Sequence, residues 1–212
     1  MSERRLVVVT AGLSQPSSTR LLADRLADAT SAGLAADAVA VGTDVVELRD
    51  HARALADHLL TGFPSPELRA TIDRVLAADG LIVVTPIFNA SYSGLFKLFF
   101  DVLQRDSLDG VPVLVAATGG SARHSLALDH ALRPLFAYLG ALVLPTGVYA
   151  AADDWGQGGE GETGLADRIQ RAGGELAAAM AAHPRAPVED PFAAPPDFAS
   201  LLRDIASGPA DR

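Results

Sequence analysis

The chain has 212 residues, 49% of them hydrophobic and 20% charged, with a formal net charge of −9. That is enough apolar material for a substantial core, and the acidic balance excludes the clustered Lys and Arg that nucleic-acid phosphates require. The absence of cysteine excludes disulfides, thiolate metal sites, iron–sulfur clusters and cysteine nucleophiles together.

The five histidines form no HExxH-type spacing, so no metal is expected. The longest apolar runs, such as "LIVVTPIF", fall short of the roughly 20 residues that span a bilayer. The start, "MSERRLVVV", lacks a signal-peptide pattern, so a cytoplasmic protein is expected, without membrane or nucleic-acid partners.

Strand and helix patterns alternate along the chain. Arg5 to Ala11 is a continuous apolar run, the mark of a strand buried on both faces. Ser18 to Ala32 has helical spacing in Leu21, Leu22, Leu26 and Ala29. A second strand is expected over Thr43 to Leu48, then helical stretches over Ala52 to Leu60 and Pro66 to Ala78. "GLIVVTPIF" reads as the third strand and Gly94 to Leu103 as a helix. "VPVLVAAT" is the fourth strand, followed by a helix over Arg123 to Leu139. "ALVLPTGVYA" is the fifth, and Glu162 to Ala182 closes the pattern as a helix. Five near-continuous apolar strands separated by helices imply an α/β fold: one doubly wound, five-stranded parallel sheet with helices on both faces. From His183 onward a Pro-rich tail is expected, with a short helix over Asp197 to Ala206, which divides the chain into a domain of 1–182 and a tail of 183–212.

In such a sheet ligands bind beyond the carboxyl ends of the strands, so the loops there carry the chemistry. The first, "GLSQPSST", places Ser14, Ser17, Ser18 and Thr19 where a helix begins. Unpaired backbone amides and the helix dipole favour an anion at that point, and hydroxyls add donors. This loop carries neither GxxxxGK[ST] nor GxGxxG, so a single phosphomonoester fits better than a triphosphate or a pyrophosphate. The same hydroxyls are also ordinary helix caps, and Arg20 in the first turn either assists the anion or is solvated. The loop after the third strand, "TPIFNASYSG", offers an aromatic wall and amide donors for a planar ligand. "TGGSARH" offers glycines that a flat ring could approach closely.

These segments, "GLSQPSSTRLLA", "TPIFNASYSGLFKLFFD" and "ATGGSARHSLALDHALRPLFAYLGALVLP", resemble the NADPH-dependent FMN reductase family. The likeness is nearest the subgroup that partners luciferase-like monooxygenases. It covers about Arg5 to Ala182, and Pro86 to Lys97 matches the family pattern P-x-[YF]-N-x-S-x-x-G-x-[LF]-K throughout. The first loop departs from the commoner G-S-x-R form, with Gln15 near the place of the arginine.

The resemblance implies a flavodoxin-like fold that holds FMN and passes hydride from NADPH or NADH to flavin N5. Carried over, Ser14, Gln15, Ser17, Ser18 and Thr19 surround the FMN phosphate. Pro86, Ile87, Phe88, Asn89, Ala90 and Ser91 contact the isoalloxazine and ribityl groups. Thr118, Gly119, Gly120 and Ser121 border the pyrimidine edge. A homodimer or homotetramer is implied, with reduced flavin passing to a flavin-dependent monooxygenase. No catalytic side chain is expected, since the hydride chemistry belongs to the cofactor.

Arg123 is a candidate contact for the nicotinamide donor's phosphate or a surface arginine. Lys97, the sole lysine, reads as a structural or interface ion pair. Trp155, in the acidic glycine-rich stretch Ala151 to Glu162, either covers the site or belongs to a surface loop. The alternatives are an FMN-bound quinone or azo reductase and a flavodoxin-type electron carrier, the latter suited by the acidic charge.

Overall fold

The computed structural model describes residues 3–155 and 164–183. The tail beyond His183 with its expected helix, and the glycine-rich stretch after Trp155, lie outside the described residues.

The core of the molecule is a parallel sheet. β1 (Arg4–Thr10) pairs on one side with β2 (Val41–Glu47) and on the other with β3 (Gly80–Phe88). β3 pairs with β5 (Pro112–Gly119), and β5 pairs with both β6 (Leu142–Val143) and β7 (Val148–Ala151). The order β2-β1-β3-β5-β6 is the 2-1-3-4-5 arrangement of flavodoxin-like folds, whose switch point lies between the first and third parallel strands.

The sheet has seven strands rather than five, for two local reasons. The fifth strand is interrupted at Pro145, which has no amide to donate, so β6 and β7 share one edge of β5. The chain also turns back after β3 to form β4 (Ser91–Tyr92), an antiparallel hairpin strand.

Helices cover both faces. α1 (Ser18–Ala36) and α6 (Leu165–Ala182) pack on one side, over Leu6, Val8, Ile82, Val84, Leu114 and Ala116. On the other side α2 (Ala52–Thr61), α3 (Pro66–Leu76), α4 (Gly94–Asp101) and α5 (Arg133–Tyr138) cover Val7, Val9, Leu81, Val83, Val113 and Val115. Alternate residues of each strand thus feed two separate cores, as the two-residue side-chain period of a strand requires. Four phenylalanines, Phe96, Phe99, Phe100 and Phe136, fill the second core with tilted and edge-on ring contacts.

The helix expected over Arg123 to Leu139 is broken into a short turn Ala122–His124, a π-helical turn Leu128–Leu132, and α5. Pro134, in the first turn of α5, has no amide to return to the preceding turn, so a single regular helix cannot run through it. α1 and α6 approach closely: a Cβ added to Gly173 would lie 2.6 Å from Ala29 Cβ, and one on Gly33 would lie 2.7 Å from Ala177 Cβ.

Candidate functional site

The carboxyl ends of β1, β3, β5 and β7 open into a cavity of about 600 Å³, within the range of small-molecule sites. Four segments supply its walls.

The first is the loop from β1 into α1. Leu13, Ser14, Ser18 and Thr19 line the cavity. Ser17 does not; it is the N-cap of α1, and its Oγ accepts from Arg20 N at 3.2 Å. That cap leaves the amides of Ser18 and Thr19 without partners among the described residues, so α1 begins with free donors at the cavity edge. Thr19 is buried, and its Oγ1 shares a hydrogen bond of 2.8 Å with Thr118 Oγ1 of β5. The first and third walls are joined by that bond. Thr10 Oγ1, at the end of β1, is buried with no hydrogen-bond partner among the described residues.

Gln15 turns away from the cavity toward Arg49. With its amide oriented to satisfy both groups, its oxygen accepts from Arg49 at 2.8 Å. Arg20 also faces away. Its Nε donates to Asp24 at 2.7 Å and its NH1 to Glu47 at 2.5 Å, while Arg49 bridges the same carboxylate at 2.5 Å. The Asp24 hydrogen bond, with the charges of Asp24 and Glu47, raises the Arg20 guanidinium above its ordinary value despite partial burial. Its charge is committed to carboxylates, which explains why it does not face the cavity.

The second wall is Pro86, Ile87 and Phe88, at the end of β3. Thr85 fixes this segment: its Oγ1 accepts from Ser93 N at 3.0 Å, tying the end of β3 to the cap of α4. Asn89 and Ala90 form the two-residue turn between β3 and β4, with φ of 49° and 69°. Two successive positive φ values match the twist of a tight hairpin, and Ala90 bears a cost of about 1 kcal/mol for adopting one. Asn89 and Ala90 are exposed and lie just beyond the cavity, and Ser91 borders a different depression shared with Lys97 and His130. Lys97 pairs with Asp101 one turn along α4.

The third wall is Thr118, Gly119 and Gly120 at the end of β5. Gly120 has open space where a side chain would begin, and a Cβ on Gly119 would lie 2.0 Å from the Tyr149 hydroxyl. That hydroxyl donates to Ser121 O at 2.8 Å. Ser121 does not line the cavity; its Oγ accepts from Arg123 N at 3.2 Å, and the Arg123 side chain is exposed on the turn that follows. The fourth wall is Ala152 and Trp155, after β7.

The cavity therefore gathers nine of the sequence-selected residues: Ser14, Ser18, Thr19, Pro86, Ile87, Phe88, Thr118, Gly119 and Gly120. Leu13 and Ala152 join them without any chemical signal in the sequence, since both are plain apolar residues just past strand ends. Among the described residues no cluster of three or more His, Asp or Glu could hold a metal ion, and no helix is long and apolar enough to cross a membrane.

A phosphorylated planar ligand fits these walls on three counts. The free first turn of α1 suits a terminal anion, Gly120 leaves room for a ring to lie against backbone, and Phe88 and Trp155 supply aromatic sides.

Comparison with known proteins shows which family the chain is similar to. The family model described as NADPH-dependent FMN reductase matches residues 4–156. An FMN reductase (NADPH) of Pseudomonas aeruginosa is 40% identical over 151 residues, 71% of this chain and 78% of that protein. The NADH-dependent FMN reductase SfnF of Pseudomonas putida is 40% identical over 169 residues, 79% of this chain and 88% of its own. Among solved structures, an oxidoreductase from Corynebacterium diphtheriae superposes with a TM-score of 0.82 at 46% identity, covering 85% of this chain and 98% of that one.

Proposed function

The chain belongs to the NADPH-dependent FMN reductase family, and on that premise we propose that its cavity holds the flavin and admits the nicotinamide donor. The protein is an NAD(P)H:flavin oxidoreductase using FMN, with NADPH or NADH as donor.

The observation that carries the site assignment is the meeting of a free helix start and an open glycine loop in one cavity. Ser14, Ser18 and the amides of α1's first turn bind the terminal phosphate. Ser17 holds that turn in place, and Gln15 holds the outer loop through Arg49. Thr19 and Thr118 lock the phosphate end to the ring end. Pro86 to Phe88 form one wall for the ring and ribityl chain, with Asn89, Ala90 and Ser91 as its outer rim. Thr118, Gly119 and Gly120 face the pyrimidine edge, and Ser121 anchors that loop. Arg123, exposed three positions beyond Gly120, is the candidate for a bidentate contact with the donor's phosphate. When bound, flavin supplies the hydride-accepting atom, N5; the protein orients the ring and leaves one side open to the donor.

The finer reading is that reduced flavin is released to a flavin-dependent monooxygenase. Exposed Leu13 and Phe88 at the cavity rim support an open site from which flavin can leave. Residues 1–182 are taken as the reductase unit, a division supported by the family match over 4–156, and dependence on a nicotinamide donor suits a cytoplasmic protein.

The test is direct. The purified chain is mixed with FMN and NADPH or NADH, and nicotinamide absorbance is followed. FMN-dependent oxidation with at least one donor is expected, and none with either would refute the reading. FMN lost on gel filtration supports the supply role, whereas stoichiometric retention with a quinone preferred as acceptor would favour a quinone reductase.

A further inference from the structure

Trp155 is the only tryptophan in the chain and ends the short turn Ala152–Trp155 that follows β7. That turn is anchored by Asp154, which accepts from Ala151 N at 2.8 Å and from Arg168 at 2.8 Å. The indole borders the cavity, and the Arg25 guanidinium lies 5.3 Å from its ring centroid. Among the described residues Arg25 forms no ion pair, although carboxylates pair with Arg20 one turn earlier.

Ser18 and Arg25 stand seven positions apart on α1 and so share a helix face. Helical side chains lean toward the N-terminus, which carries the Arg25 head back along α1 toward the turn that begins at Ser18. The indole and the first turn of α1, at Ser18 and Thr19, line the same cavity.

We infer that Arg25 is a positioning residue for flavin binding, acting through Trp155: the guanidinium holds the indole as the wall over the first turn of α1. This inference rests on the flavin site proposed above. An arginine that helped a flavin phosphate by charge alone would act whether or not the indole were present. An arginine that works through the ring loses its effect when the ring is removed.

The experiment is a double-mutant cycle on the full chain, with FMN dissociation constants read from flavin fluorescence. Trp155→Ala is expected to weaken FMN binding about tenfold, the loss of an aromatic wall. Arg25→Ala should weaken it about threefold, as for an exposed cation–π contact, and Arg25→Lys should recover most of that. The double variant should bind no more weakly than Trp155→Ala alone. An Arg25→Ala penalty of equal size in both backgrounds would overturn the inference, as would no change in Arg25→Ala. Thermal midpoints within a degree or two of the unaltered protein show that the variants fold.

A flavin-free measurement runs beside it. Acrylamide quenching of the sole tryptophan should rise in Arg25→Ala, and unchanged quenching would overturn the clamp whatever the flavin result. Failure of the unaltered chain to bind FMN, with quenching behaving as expected, would instead sink the flavin site and leave the Arg25–Trp155 contact standing.

Discussion

Tyr149 supports the glycine loop from within the fold. Its hydroxyl donates to Ser121 O and fills the space beside Gly119 that a larger residue would claim. Burial raises the phenol above its ordinary range, and the charge of Asp154 adds to the effect. The folded state holds the neutral phenol, while the unfolded chain ionises near pH 10, so this contribution is complete below that pH and declines as pH rises toward the folded value. Tyr149→Phe is expected to cost about 1 kcal/mol in urea unfolding at neutral pH, for the lost hydrogen bond. It should also flatten the fall in stability above about pH 10; an unchanged alkaline decline would contradict this account. At this scale the sequence was most informative about polar residues near strand ends that line the cavity, as at Ser18, Thr19 and Thr118. It was silent on Tyr149, whose role depends on a hydrogen bond spanning 28 positions. The turning away of Gln15 and Arg20 was equally hidden, because it is set by Glu47, brought near by the β1–β2 pairing.

The ends of elements matter more here than their lengths. α1, α3 and α4 each start with a serine whose hydroxyl accepts from the third residue on, at 3.2 Å in all three cases. Ser17→Ala should therefore cost about 1 kcal/mol of stability. It should also weaken FMN binding more than Ser65→Ala, which removes the same kind of cap from α3, away from the cavity. Equal effects of the two on FMN affinity would argue against α1's first turn as the anion site. Long elements with strong periodicity, such as β1, β3, α1 and α6, were legible to within a few residues. The two elements that broke contain an internal proline: Pro134 behind the π-helical turn, and Pro145 between β6 and β7. Their apolar patterns run on across the breaks, since burial continues even where backbone pairing does not. Arg133 stitches both breaks together, donating to Leu144 O at 2.6 Å and also reaching Pro145 O.

For the molecule as a whole, the helices covering the sheet leave an exposed apolar corner among the described residues. Leu60 and Phe63, at the end of α2, are 85% and 82% exposed. Large exposed apolar side chains in a group argue for a partner surface, and a second copy is the occupant expected of a homo-oligomer. Light scattering should report a dimer or tetramer, and replacing Leu60 and Phe63 with serine should lower the mass; a monomer in both cases would refute self-association. The contact between α1 and α6 has a consequence of another kind. Gly173 lies near the far end of the described chain, yet Ala29 rests against its bare backbone, so the last helix acts as the bed on which the first one lies. Gly173→Val should lift α1 off that bed, costing about 1–3 kcal/mol. It should impair FMN more than riboflavin, which carries no terminal phosphate to seek the displaced helix start. The anion seat proposed at residue 18 thus depends on a small residue at 173, a dependency that ties the first helix to the last one described.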